Sequence, residues 1–178
     1  VVSAKGERRF AAFKLALEHV PGHGQVIVHF RIGPSREYGP EVTHPDPANP
    51  DLADPHALDV EAPVAIAHNG VLPYDTDEAQ GISDTIAYVM RVVSRMARQR
   101  PVIDHGGLCK STKARRALRR TSQGSRLALI DAVGHLLRIG DGWETVSPGV
   151  YASNSSWRPY KARYGSLYGA FAYDDCDT

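Results

Sequence analysis

Cysteine is nearly absent from this chain. Cys109 and Cys176 are the only two in 178 residues. They make no disulfide framework, and without a CxxC pair there is no zinc-ribbon ligand set. The expectation is a reduced, cytosolic-type protein that holds no metal. Long apolar runs are also missing. None approaches the roughly 20 residues that span a bilayer, so no membrane partner is expected. Val1–Phe10 is polar and has no apolar signal core. Position 1 is Val, not Met, which fits a processed or truncated chain or a GTG start written as Val. A charge excess is lacking too: 21 Lys and Arg stand against 20 Asp and Glu, net +1. No repeat is visible.

What is present is the composition of a soluble globular domain, 42% hydrophobic and 23% charged. Glu7–Val20 reads as an amphipathic helix stopped by Pro21-Gly22. Gln25–Gly33 reads as a β-branched strand. Pro34–Glu61, with six prolines and four aspartates, reads as a loop. Pro63–His68 is a second apolar strand, and Asn69-Gly70 ends it as a turn signal. Ile82–Arg98 is the best helix: Ser83-Asp84 caps it, and Ile86, Val89, Met90, Val93 and Met96 form its apolar face. Lys110–Arg120 reads as a short basic helix. Arg126–Ala132, His135–Ile139 and Gly149–Ser153 read as strands of an antiparallel meander, with turns at Val133-Gly134 and Asp141-Gly142. The tail from Arg158 is Tyr-rich and ends in DDCDT.

Cations gather between residues 91 and 120, where Asp104 is the only acid. No aromatic interleaving, helix-turn-helix or zinc pattern accompanies them, so a solvated helix face is expected there and not a nucleic-acid surface.

Four stretches carry chemistry: VHFRIG (28–33), AHNGVLPY (67–74), SDT (83–85) and GVYASNSSW (149–157). An Asn-Gly step at a strand end offers a side-chain amide and a backbone N–H to a developing oxyanion, and Gly lets the backbone approach closely. The same step is also an ordinary turn. An Arg in an apolar strand suits bidentate capture of a carboxylate. An acid opening a helix favours the helix dipole or receives an ammonium. His29 and His68 read as buried, hydrogen-bonded histidines that brace these positions.

In order and spacing the set, with His44-Pro45 in the intervening loop, resembles the compact class II glutamine amidotransferase domains of the N-terminal-nucleophile hydrolase superfamily, often phage-encoded. The resemblance covers residues 1–157 and leaves 158–178 as a tail. It implies an α+β fold of the four-layer αββα sandwich type, with or without its first strands. It implies hydrolysis of the glutamine amide, with ammonia passed to a separate synthetase. Asn69 and Gly70 then form the oxyanion hole, while Arg31 and Asp84 hold the substrate carboxylate and ammonium. His44 borders the pocket, where His44, Asp46 and Arg36 tune substrate choice toward glutamine or a related amide. No cofactor is implied. The implied location is cytoplasmic (the host cytoplasm for a phage protein) or the virion for a structural one.

The family's nucleophile is an N-terminal Cys, and position 1 here is Val. Cys109, flanked by Lys110 and Lys113, is a candidate reactive thiol, although an ordinary free cysteine is the commoner case. The enzyme reading therefore requires a Cys upstream. Its rival is a catalytically inactive amidotransferase fold serving as an interaction or phage-assembly protein.

Overall fold

The computed structural model describes residues 2–4, 18, 24–29, 43–49, 59–77, 82–99, 107–155 and 158. The chain divides into two compact units, Val1–Asp141 and Gly142–Thr178. The architecture is α+β with antiparallel sheets.

The first unit is organised by a four-stranded sheet whose strands follow in spatial order. Its strands are β2 (Asp46–Pro47), β4 (Val64–Asn69), β5 (Arg126–Asp131) and β6 (Leu136–Ile139). β4 and β5 pair along their whole length, from Val64↔Asp131 to Asn69↔Arg126. Strand alternation sends Val64, Ile66 and His68 to one face and Ala65 and Ala67 to the other. Both faces of β4 are buried. A smaller sheet joins β1 (Val2–Ala4) to β3 (Asp59–Glu61). The loop expected over Pro34–Glu61 thus carries two short strands, because backbone pairing does not require an apolar run.

Two helices cover the Ile66 face. The first, α1, is α-helical over Asp84–Tyr88, widens to a π turn over Val89–Val93 and closes over Ser94–Ala97. Ser83 caps it by accepting from the Ile86 N–H at 3.1 Å. The second, α2 (Thr112–Thr121), has Ser111 as its cap and follows a 3₁₀ turn at Leu108–Lys110. Tyr88, Val89, Val93, Ala114 and Leu118 pack with Val64, Ile66, Leu127, Leu129 and Ile139 in one apolar cluster. The Tyr88 hydroxyl and Thr121 Oγ1, 3.0 Å apart, tie the two helices together.

Three sequence expectations are corrected here. Met90 is 50% exposed, because the π turn breaks the 3.6-residue period that would carry it inward; Tyr88 is fully buried instead. Of the strand expected over Gln25–Gly33, residues 30–33 lie outside the described residues; Gln25–His29 joins no ladder among the described ones, and Val26 and Val28 are 42% and 43% exposed. β-branched composition does not by itself supply a pairing partner. The meander also does not form one sheet. Among the described residues β7 (Glu144–Ser147) pairs only with β8 (Val150–Ala152), in the second unit. There Arg158 donates to Glu144 at 3.0 Å. Of the Glu7–Val20 helix only Glu18 is described, and it is helical; the rest of that span and the tail beyond Arg158 lie outside the described residues. Among the described residues, no helix is long and apolar enough to cross a membrane.

Candidate functional site

The site sits where β4 ends and α1 begins. Asp46 pairs with Ile66 across β2 and β4. Paired residues share a sheet face, so continuing this register by two places brings His44 beside His68. Their ring centroids are 6.0 Å apart, and His29 lies 4.5 Å from His44. His44 Nδ1 donates to the buried Asp46 carboxylate at 2.6 Å, which leaves His44 Nε2 as the ring's other working atom.

His68 is buried at 7% exposure, and its Nδ1 lies 3.0 Å from Thr85 Oγ1. The Thr85 hydroxyl lies 3.2 Å from Asp84 Oδ1. A carboxylate only accepts, so placing the Thr85 proton on Asp84 makes His68 Nδ1 the donor. His68 Nε2 is then a bare acceptor, and it is buried with no hydrogen-bond partner among the described residues. Burial pushes His68 down to about 4; Asp84 and Asp46 oppose the shift and His44 adds to it. The ring is neutral at pH 7.

Asp84 occupies the first turn of α1. Its Oδ1 accepts from the Thr85 N–H at 2.7 Å, and its Oδ2 accepts from the Leu72 N–H at 2.8 Å. The second contact anchors the loop that follows Asn69-Gly70. The Ser125 hydroxyl donates to the Val71 carbonyl at 2.7 Å and holds the same loop from β5. Gly70 has φ +135°, and a Cβ there would stand 2.6 Å from Ser125 Oγ. Only glycine fits this turn. Asn69 therefore ends β4 directly before a loop, opened by Gly70, that has two anchors.

Comparison with protein-family models, curated proteins and solved structures finds no match.

His44, Asn69, Gly70 and Asp84 are thus linked through His68, Thr85 and Leu72. Arg31 and Arg36 lie outside the described residues. Thr85, Leu72 and Ser125 were not singled out from sequence. SDT at 83–85 offered a signal for Thr85; nothing in the sequence marked the contacts of Leu72 or Ser125. Cys109 is corrected as a thiol candidate. It is 3% exposed, its Sγ donates to the Leu129 carbonyl at 3.5 Å, and burial together with Asp131 pushes its thiol up to about 12. Lys110 and Lys113 are exposed and do not offset this. Asp131 is itself buried. It accepts from the Cys109, Val133 and His135 N–H groups, bracing the 3₁₀ turn against the β5–β6 hairpin. Among the described residues no group of three ligating side chains is arranged to hold a metal ion.

Proposed function

We propose that this chain builds the glutamine site of a class II glutamine amidotransferase-type domain. The observation that carries the reading is a convergence. Three stretches far apart in sequence, around His44-Pro45, His68-Asn69-Gly70 and Ser83-Asp84-Thr85, come together at the end of β4, the second and third joined by hydrogen bonds and the first by the edge-on contact of the His44 and His68 rings. They are the stretches that carry the family resemblance. Burial of β4 on both faces supports the layered αββα sandwich.

In this reading a thiolate attacks the amide carbon and the carbonyl oxygen gains the negative charge. The Asn69 side-chain amide and the Gly70 N–H receive that charge, held by the two loop anchors before the reaction begins. Collapse of the intermediate expels ammonia, and water then releases glutamate from the thioester. Arg31 takes the substrate carboxylate. Asp84 takes the ammonium. A carboxylate offers about four lone-pair sites; three are engaged by Leu72 and Thr85, which leaves one. The neutral His68 braces Asp84 through Thr85 and adds no positive charge beside the ammonium.

The thiol is the family's N-terminal Cys. Ammonia release from glutamine is therefore assayed on the chain as its native source makes it. The expected result is turnover that falls about 10²–10³-fold in Asn69→Ala. Full turnover in that variant counts against the oxyanion assignment.

The second reading is an amidotransferase fold kept for interaction or assembly. The burial and raised pKa of Cys109 rule that thiol out as a substitute nucleophile, so without the N-terminal Cys this second reading holds. Glutamine binding without ammonia release is its signature.

A further inference from the structure

The fold packs the two helices that carry separate stretches of the basic block against one face of the sheet. α1 and α2 pack on the same face of the sheet and meet at Tyr88 and Thr121. Their inward faces are apolar. Outward, α1 exposes Arg91 and Arg95, and α2 exposes Arg115, Arg116, Arg119 and Arg120. None of these six arginines forms an ion pair among the described residues. Between Thr85 and Ile130 the sequence has one acid, Asp104.

The pattern is more than a helix-dipole effect. Cations in the last turn of a helix complement its carbonyl end, which accounts for Arg119 and Arg120. It does not account for Arg115 and Arg116 earlier in α2. Arginines spaced i, i+4 with no acid between them repel one another. That repulsion is relieved by an anionic partner.

The chemistry of the face selects the partner. A membrane surface would want exposed apolar side chains beside the cations; Met90 is the one large hydrophobic exposed on these two helices. A protein interface would want aromatic anchors at its centre, and a single strand would want rings on which bases stack. Neither helix exposes an aromatic ring. What is left is a set of planar guanidinium forks, which suit phosphate oxygens. We propose that the outer face of α1 and α2 binds the phosphate backbone of double-stranded nucleic acid, without reading its sequence. This surface is distinct from the glutamine site and does not depend on it.

The test is fluorescence anisotropy with a labelled DNA duplex of mixed sequence, titrated with the full chain over a series of salt concentrations. Four phosphate contacts from α2 give a slope of log K against log salt of about −3 to −4 from that helix alone. Replacing Arg115, Arg116, Arg119 and Arg120 together by Gln should flatten the slope by about 3 and weaken binding at low salt at least tenfold. The paired variants R115Q/R119Q and R116Q/R120Q should each remove about half of that change, so the test survives a folding defect in the quadruple variant. Arg158→Gln, in the second unit, should leave binding unchanged. Absence of duplex binding at low salt overturns the proposal, as does an unchanged slope in folded α2 variants. Uptake by phosphatidylserine vesicles without duplex binding also overturns it, and would assign the face to a membrane surface.

Discussion

Protonation of His68 should make this protein sensitive to mild acid in a way that a single substitution removes. In the fold the ring titrates at about 4 against an ordinary value of 6.5. A histidine with a depressed folded value is neutral when buried, and its unfolded form binds the proton first. Stability is therefore unaffected above pH 6.5. It falls as pH drops from 6.5 toward 4, and the loss saturates below 4. The gap amounts to about 3 kcal/mol at saturation, of which about 2 kcal/mol is lost by pH 5. The charges of Asp84, Asp46 and His44 act on the ring, so the raw pH profile mixes several groups. The comparison with His68→Asn isolates the ring, because an asparagine amide at the Nδ1 position keeps the bond to Thr85. Urea unfolding of both proteins at intervals between pH 8 and pH 5 gives the difference directly. The wild type should lose about 2 kcal/mol relative to the variant across that range. A flat difference would refute the assignment of a buried neutral imidazole.

Other outcomes follow from the same contacts. Asp131→Ala should cost about 3 kcal/mol in urea unfolding, because it strands the N–H groups of Cys109, Val133 and His135. Gly70→Ala should cost about 2 kcal/mol or more in thermal unfolding, through its positive φ and the approach to Ser125 Oγ, and Ser125→Ala in that background should recover part of the loss. In a Cys176→Ser background, Cys109 should react with a thiol reagent only as fast as the protein opens, with urea accelerating the reaction; rapid labelling of the folded protein would contradict its burial.

The apolar strand 63–68 and the helix opened by Ser83 were legible because burial on the Ile66 face imposes its period directly on the side chains. Lys110–Arg120 was legible for the same reason, through Ala114 and Leu118. The short strands at Asp46–Pro47 and Asp59–Glu61 were not, because their pairing is made by backbone groups inside a proline-rich stretch. The π turn in α1 left no mark either, and it moved Met90 outward while Tyr88 went in. At the site, Asn69-Gly70, His44 and Asp84 were marked by their motifs. The anchors were not: Leu72 contributes a backbone N–H, and Ser125 lies 54 residues from Val71. Position in the fold, and not residue type, makes them part of the site.

Glutamine binding tests the central claim most directly, because it requires the pocket and not the nucleophile. Calorimetric titration of L-glutamine into the chain should show saturable binding, weakened at least tenfold in Arg31→Ala and in Asp84→Asn and retained in Asn69→Ala, whose role is confined to the oxyanion. No saturable heat with glutamine, or equal binding in all three variants, would contradict the account.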